Sequence, residues 1–480
     1  MATKQKAPTL ETMRPFGMRD QMGYLAGNFA GDFTYTLCTG FMMKFYTDVL
    51  GVSAGIVGLA MMIAQVLDAV TDLGMGQICD RAPTTKDGKF RPWIRRIAGP
   101  VSLISFLMYA SWIKGAAMPV KIAWLFVTYL LYSSVFYTMI IIPYGSMASA
   151  MSNDAMDRTK LSNWRHIGGT LAVTVINFIV PLVVYVDATN PDGSLMMDEA
   201  GQAVQIFDGT RMMLCGLVFA ILSFVLWMAC YFMTTERVKI PAKNEKLHLG
   251  AFLSDLAHNR GLIAIVLLII VQECSNSAFH RMSGYMFGNY FGQGKLQAIT
   301  SPVETIITLL IAACIVGIVA KVGKKEITVT GCLVSAVVFA IAFVLHTTNV
   351  YVWIVIYGGV TVGLALFNPV TFALVTDIVD DEEVRTGKRM DGTIYSVYSF
   401  GRKFGSALSS GVTGMMLSVI GYTEANMYEP AITNGIYNIS CIVPMIGFTL
   451  MALIVGILYP LNKKRVDANV AILKQKRGEL

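Results

Sequence analysis

Long apolar stretches separated by short polar segments dominate the chain. About twelve stretches are each roughly 20 to 30 residues long, enough for a helix to cross a hydrocarbon core of about 30 Å. The predicted spans are Gly23–Tyr46, Ser53–Cys79, Ile97–Ala116, Val120–Met151, Ser162–Val186, Arg211–Met233, Leu262–Gly292, Thr300–Val322, Ile327–His346, Val350–Ile378, Gly392–Tyr422 and Asn434–Leu461. The pattern therefore predicts an all-α membrane protein with twelve transmembrane helices.

Composition and charge agree with a membrane protein. Of the 480 residues, 55% are hydrophobic and 14% are charged, which is too apolar for a soluble protein of this length. The net charge of +7 comes mainly from Lys and Arg on alternate loops and at both termini, so both termini are expected in the cytoplasm. This distribution explains the net positive charge, so no nucleic-acid partner is needed to account for it. The N-terminal residues show no signal-peptide pattern, and the eight scattered cysteines are interpreted as packing residues.

A charged segment divides the spans into two groups of six. Residues 234–260 are predicted to be a cytoplasmic linker between an N-terminal bundle, 1–233, and a C-terminal bundle, 261–461, with a cytoplasmic tail at 462–480. The loops after spans two and eight are both basic, which is weak evidence that the two bundles are an internal repeat. The outer loop at 187–209 is polar and turn-rich, which predicts a surface loop without a hydrophobic core of its own.

Two carboxylates lie inside the second span. Asp68 and Asp72 are four residues apart, so they share a helix face with their oxygens about 6 Å apart. A charge at the centre of a membrane helix costs about 2.5–3.5 kcal/mol, and two like charges cannot both remain ionised without a cation or a proton between them. The alternative is a structural ion pair between one Asp and Lys403.

Further oxygens are expected beside this pair. Thr71 lies on the same helix, and Thr138 of the fourth span is at a similar depth in the membrane. Carboxylate and hydroxyl oxygens are hard ligands, suited to Na⁺, Li⁺ or H⁺. These four residues form the candidate coupling-ion site.

The loop after the second span carries alternating charges. Asp80 is followed by Lys89 and Arg91, while Pro92 and Trp93 mark the start of the next helix. We expect salt bridges from this loop to latch neighbouring helices and to break during transport.

Two sequence motifs then suggest a family. LDAVTDLGMGQICDR with GKFRPW, and TDIVDDEEVRTGKRMDG, resemble the paired signatures of the glycoside-pentoside-hexuronide cation symporters, a branch of the major facilitator superfamily. The similarity runs over nearly the whole chain. It implies two pseudo-symmetric six-helix bundles, alternating access to a central site, and cotransport of a sugar with Na⁺ or H⁺.

The resemblance also assigns residues. Asp68, Asp72 and Thr138 match cation-site positions, with Thr71 where the melibiose branch has Asn. Asp32 and Arg165 match sugar-site positions, and Lys403 matches a Lys between the two sites. The candidate substrate-binding residues are therefore Asp32, Arg165 and Lys403, to which the sequence adds Tyr144, Asn368 and Glu273.

The sugar pocket departs from the melibiose branch. Ile141 and Gly145 replace a sugar-binding acid and a stacking Trp, and Asn368 occupies another Trp position. Loss of the acid removes repulsion toward an anionic substrate, so a uronate is as compatible with Arg165 and Lys403 as a neutral glycoside.

Two candidate residues have other interpretations. Because Arg165 lies near the cytoplasmic end of its span, its alternative role is to anchor the helix at the inner surface of the membrane. Glu273 alternatively pairs with Arg281 or His280.

The leading hypothesis is a monomeric secondary symporter of the cell inner membrane, without a resident cofactor. It imports a glycoside, pentoside or related saccharide with Na⁺ or H⁺. Rival hypotheses are the same fold carrying a hexuronate, an organic acid or a lysolipid, and a nutrient sensor that does not transport. An intramembrane enzyme is disfavoured because no nucleophile with a base, metal triad or nucleotide loop is present.

Overall fold

The computed structural model of the protein describes residues 14–190, 192–197, 201, 203–238, 260–386 and 391–476. Thirteen long helices and one short hairpin make up this part of the chain. The helices are α1 Met18–Lys44, α2 Ala54–Arg81, α3 Arg91–Leu107, α4 Met118–Met151, α5 Ala155–Val184, α6 Gly209–Met233, α7 Arg260–Tyr285, α8 Thr300–Val322, α9 Lys324–Leu345, α10 Val350–Thr386, α11 Asp391–Val419, α12 Pro430–Leu453 and α13 Lys463–Lys476.

The first twelve helices coincide with the twelve predicted spans, so the predicted all-α architecture is confirmed. Nine helices in the described residues are long and apolar enough to cross a membrane by themselves. The other three spans are α1, α3 and α11. Helix α3 has 17 residues, while α1 and α11 carry charged side chains such as Asp32 and Arg402 within their length.

Local chemistry explains several helix ends. Asp208 precedes α6, and its carboxylate accepts a hydrogen bond from the Arg211 amide at 2.7 Å, which satisfies a free N–H of the first turn. Proline is found in the first turn of α3, α4 and α12, where no helical donor is lost. Gly323 joins α8 directly to α9 with a φ of 113°, which favours glycine.

The helices form two compact units. Unit 1 contains residues 1–52, 64–184 and 207–246. Within it, α1 packs against α5 and α6, and α3 packs against α4 and α6. Small residues allow close approach between these helices: a Cβ on Gly168 of α5 would lie 2.7 Å from the Leu25 carbonyl oxygen of α1.

Unit 2 contains residues 53–63, 185–206 and 247–480. Within it, α7 packs against α11 and α12, and α9 packs against α10 and α12. Each helix of unit 1 named above thus has a counterpart six positions later with equivalent partners. Two segments from the predicted N-terminal bundle, 53–63 and 185–206, group with unit 2. Most of the predicted linker, residues 239–259, lies outside the described residues.

The outer loop folds into a hairpin. Strand β1, Tyr185–Asp187, pairs with β2, Gln205–Phe207. The hairpin packs within unit 2, where the Tyr185 hydroxyl donates to the Gly284 carbonyl at 3.1 Å and the Gln205 amide donates to the Gly292 carbonyl at 2.8 Å. The loop expected to have no core is therefore anchored by hydrogen bonds at its base.

The predicted tail contains α13, which packs against α10. Arg465 and Asn469 of α13 hydrogen-bond the Asp381 carboxylate with distances of 2.9 to 3.2 Å. Asn469 is 6% exposed, so this contact is part of the packed structure and not a surface encounter.

Candidate functional site

The two carboxylates of α2 meet a hydroxyl from α4. Thr138 Oγ1 lies 2.8 Å from Asp68 Oδ1 and 2.9 Å from Asp72 Oδ1. The four-residue spacing puts both carboxylates on one face of α2, and matching depth brings Thr138 to them, as the sequence predicted. A hydroxyl has one proton, so it can donate to only one carboxylate at a time. Two carboxylates and a hydroxyl that converge in this way supply hard oxygen ligands, which suit a small cation or a proton.

Helix α4 is irregular where it reaches this cluster. Residues Leu131–Tyr137 form a π-helical segment that ends directly before Thr138. The Ser133 carbonyl lies 3.2 Å from Thr138 Oγ1, and the Thr138 side chain is fully buried. Such segments are frequent at functional sites because they change which backbone oxygens face a ligand. The sequence did not indicate this segment.

Thr71 differs from the other predicted ligands. Its hydroxyl donates to the Asp68 backbone carbonyl at 3.1 Å within α2. A threonine hydroxyl in a helix often bonds a preceding carbonyl in this way. Asp68, Asp72 and Thr138 therefore form the cluster, and Thr71 lies beside it.

A second polar group connects α1 to α5. Asn28 Nδ2 donates to Asp32 Oδ2 at 2.7 Å, and Arg165 Nε donates to Asn28 Oδ1 at 3.1 Å. Sequence analysis identified Asp32 and Arg165 but missed Asn28, which joins them. The signal available was its position one helical turn before Asp32 on the same face.

Tyr144 packs against Arg165 of this group and is fully buried. Its ring stacks on Tyr24 with centroids 4.6 Å apart, and the Arg165 guanidinium carbon lies 5.6 Å from the ring centroid. Its hydroxyl donates to the Tyr24 carbonyl. The structure therefore places Tyr144 as a packed support for Arg165, instead of an exposed ring that could contact a ligand.

Tyr137 is a further residue that sequence analysis missed. It precedes Thr138 in α4 and stacks on Tyr35 of α1, with centroids 5.3 Å apart. Tyr35 is three residues after Asp32, on the adjacent turn of α1. Consecutive residues of α4 thus contact both the helix that carries Asp32 and the helix that carries Asp68.

Glu273 in unit 2 pairs with a residue that was not expected. Its carboxylate accepts from Arg402 Nε of α11 at 2.7 Å. The predicted pairing with Arg281 or His280 is wrong. Arg281 is eight residues further along α7, a rise of about 12 Å, and it donates instead to Ser409 at 2.7 Å. Packing between α7 and α11 decides both contacts.

Asn368 belongs to an amide cluster in unit 2. Its side-chain oxygen accepts from Gln272 Nε2 at 2.8 Å, and the Gln272 oxygen accepts from Thr371 at 3.2 Å. Asn368 itself is exposed, so this polar edge is accessible. Lys403, also predicted for the substrate site, is half-buried on α11.

The predicted gating loop is attached to α6. Glu236 accepts hydrogen bonds from the backbone amides of Lys89, Phe90 and Arg91 at 2.7, 2.9 and 2.7 Å. The Arg91 guanidinium donates to the Tyr231 carbonyl at 2.7 Å and lies 4.8 Å from the Tyr231 ring centroid. Glu236, which caps the start of α3, was not predicted from the sequence.

The other two residues of the gating prediction have different outcomes. The Lys89 side chain is 4% exposed, so it is packed and not a free surface cation. Asp80 lies in the last turn of α2, and its side chain is outside the described part of the structure.

A sequence model of the MFS/sugar transport protein family matches residues 23–463. The chain belongs to this family. This MFS sugar transport protein is therefore a multi-pass membrane transporter and not an enzyme. The sequence resemblance to a sugar-transporting branch of the major facilitator superfamily is confirmed.

Individual proteins are similar over nearly their whole length. An uncharacterized symporter of Bacillus subtilis is 29% identical, covering 98% of each chain. A glucuronide carrier protein homolog of Escherichia coli is 27% identical, covering 93% of each chain. The crystal structure of a D-xylose-proton symporter superposes with a TM-score of 0.61 at 15% identity, covering 92% of this chain and 97% of that one. The structural similarity supports the transporter fold.

Proposed function

We propose that this MFS transporter imports a saccharide together with a monovalent cation. The observation that carries the proposal is the convergence of Thr138 Oγ1 on both Asp68 and Asp72 inside a membrane bundle. Two neighbouring carboxylates attract positive charge, and together with the hydroxyl they form a ligand set that suits a hard cation or a proton. The B. subtilis relative is named as a symporter, which agrees with cation coupling.

The coupling ion is Na⁺ or H⁺, and no resident cofactor is needed. Asp68 and Asp72 supply the charge and Thr138 supplies a neutral oxygen, a ligand set that suits a hard cation. A proton shared by the carboxylates would satisfy the same geometry. Thr71 is close enough in sequence to contribute if its hydroxyl turns from the helix backbone.

The saccharide is bound by hydrogen bonds to charged groups. Asp32 accepts from sugar hydroxyls, and the Arg165 guanidinium donates to hydroxyl or carboxylate oxygens. In unit 2, Lys403 and Asn368 remain candidate substrate-binding residues from the sequence, and Glu273 pairs with Arg402, the residue before Lys403. Tyr144 acts indirectly, by supporting Arg165.

The substrate class is a glycoside, pentoside or related saccharide, with a hexuronate as the second candidate. The glucuronide carrier homolog among the relatives and the absence of an acid at Ile141 favour the hexuronate. An organic acid or a lysolipid is the remaining alternative for this fold. We further propose a monomer in the inner membrane with both termini in the cytoplasm, since the basic residues are concentrated on those segments.

Thermal stabilisation of the purified protein tests this function. Neutral glycosides, pentosides and hexuronates are added with and without Na⁺, and the melting temperature is recorded. If one saccharide and Na⁺ each increase the stabilisation by the other, they are coupled, because linkage is reciprocal. If the rise in melting temperature caused by a saccharide is the same with and without Na⁺ but changes with pH, the coupling ion is a proton. Stabilisation by no saccharide would contradict the proposed substrate class.

A matched pair of variants tests the cation site. Thr138→Val keeps the side-chain volume but removes the hydroxyl, so we expect cation affinity to fall about tenfold, whereas Thr138→Ser should retain it. Cation-dependent uptake of the stabilising saccharide into proteoliposomes gives the affinity. Equal cation dependence in both variants would remove Thr138 from the site.

A further inference from the structure

Asn28 lies between two opposite charges that do not contact each other directly. Its side chain is 8% exposed, and both ends of its amide are hydrogen-bonded, to Asp32 at 2.7 Å and to Arg165 at 3.1 Å. The amide orientation is determined by its partners, because a carboxylate only accepts and a guanidinium only donates. Asn28 is therefore held as a bridge with the nitrogen toward Asp32.

The Asn28 bridge leaves hydrogen-bonding groups of both Asp32 and Arg165 for a ligand. Asn28 occupies Asp32 Oδ2, and within the described residues no hydrogen bond involves Asp32 Oδ1. Asn28 occupies only Nε of Arg165, and no carboxylate of the described residues forms a salt bridge with this guanidinium. One acceptor on Asp32 and the guanidinium donors of Arg165 that neither Asn28 nor Tyr24 uses remain for a ligand.

Removing the bridge would let the two charges pair. Opposite charges attract strongly where water is scarce, and a bidentate contact between a carboxylate and a guanidinium is a strong hydrogen-bonding arrangement. Such a pair would use the same groups that a saccharide needs. A ligand would then have to break the pair before binding.

The surroundings are arranged around this bridge. Gly169 of α5 has no side chain, and a Cβ there would lie 2.6 Å from Asp32 Oδ2 and 2.7 Å from Asn28 Nδ2. The Tyr144 ring centroid lies 5.6 Å from the Arg165 guanidinium carbon, a cation–π contact that supports Arg165. The space for the amide and the position of the guanidinium are therefore both set by neighbouring helices.

We propose that Asn28 is a positioning residue that keeps Asp32 and Arg165 apart, so that both remain available to the substrate. This inference rests on the proposed saccharide transport. It also restricts the substrate chemistry. A ligand that satisfies the site presents a hydroxyl donor to Asp32 and, close beside it, a hydroxyl or carboxylate acceptor to Arg165, as neighbouring oxygens of a sugar or uronate do.

Two substitutions separate this role from simple packing. Asn28→Ala removes the bridge. Asn28→Asp keeps the size and the bond from Arg165 but loses the donor to Asp32 and adds a negative charge. If Asn28 separates charges, the Asp variant binds saccharides more weakly than the Ala variant. If Asn28 only joins α1 to α5, the Asp variant is the milder one.

Affinity for methyl β-D-glucuronide and methyl β-D-glucoside is measured by calorimetry on the purified full-length protein. For whichever probe the wild type binds, we expect Asn28→Ala to weaken affinity by on the order of tenfold. Asn28→Asp is expected to weaken it further, most for the glucuronide. In proteoliposomes, KM should rise while the maximal rate changes little.

The control is Asn177→Ala, an asparagine of α5 outside the Asp32–Arg165 network, which should behave as wild type. Melting temperatures of the ligand-free variants show that each is folded. Unchanged affinity in Asn28→Ala, or a milder effect of Asn28→Asp, would overturn this inference alone. A wild type that binds neither probe nor any other saccharide would overturn the proposed function, and the inference with it.

Discussion

At the scale of single residues, the candidate sites use few side chains in positions where each polar contact matters. Thr138 is fully buried against two carboxylates, and Asn28 is nearly buried between Asp32 and Arg165. A buried polar group that loses its partner costs about 1–3 kcal/mol, so these contacts select a particular arrangement of side chains. Gly169 has no side chain, so it leaves space for the Asp32 carboxylate and the Asn28 amide.

Gly169→Ala should disturb the proposed sugar site and leave the proposed cation site unchanged. Its Cβ would lie 2.6 Å from Asp32 Oδ2, so that side chains or helices must shift, at a cost of about 1–3 kcal/mol. We expect weaker saccharide affinity and a lower melting temperature. Gly99→Ala in α3 is the control, because its Cβ would meet no atom closer than 4.0 Å. Equal behaviour of the two variants in calorimetry and thermal unfolding would contradict this expectation.

At the scale of helices, their ends and irregular segments determine what the loops and ligands contact. The π-helical segment of α4 precedes Thr138, and the carboxylate of Glu236 occupies the start of α3. A helix start carries free N–H groups and partial positive charge, so one carboxylate that accepts three of these bonds is a favourable cap. It also fixes the loop between α2 and α3 to the end of α6.

Glu236→Gln should loosen this loop. An amide presents its own N–H groups toward the α3 donors, so we expect a loss of about 1–2 kcal/mol in stability. Transport should slow while saccharide affinity is retained, as measured by uptake and calorimetry. Glu429→Gln is the control, since Glu429 directly precedes α12 but makes no side-chain capping bond. A large change in saccharide affinity for Glu236→Gln would place it in the binding site instead.

At the scale of the whole molecule, two units repeat the same packing scheme, and the outer hairpin belongs to unit 2. By sequence it joins α5 to α6 of unit 1, while its contacts place it in unit 2. Asp187 pairs with Lys295 at 3.0 Å, and the Tyr185 ring fills the space beside Gly294. Strand β1 begins directly after α5, without an intervening loop.

Cross-linking the hairpin to the segment that carries Lys295 should stop transport. In Asp187→Cys/Lys295→Cys, a short bismaleimide is expected to reduce uptake by roughly tenfold or more, because a transport cycle requires loop motions that a cross-linked loop cannot make. Saccharide binding should remain. The single-cysteine variants, treated identically, control for the native thiols. Full uptake after complete cross-linking would show that the hairpin does not limit the cycle.

The sequence by itself determined the helices and much of the candidate cation site. Twelve apolar stretches of membrane length must become helices, because backbone polar groups in lipid need internal partners. Asp68 and Asp72 had to share a face, because four residues make about one turn. Thr138 followed from its depth, since two helices crossing the same membrane bring residues of equal depth to the same level.

Tertiary structure decided contacts between residues far apart in the chain. Asn28 and Arg165 are separated by 137 positions, and Glu273 and Arg402 by 129, so no local pattern relates them. The burial of Tyr144 and the capping of α3 by Glu236 also depend on which helices are neighbours and on how each is rotated about its axis. Apolar periodicity predicts that a helix forms, but the packing of neighbouring helices decides which polar side chains meet.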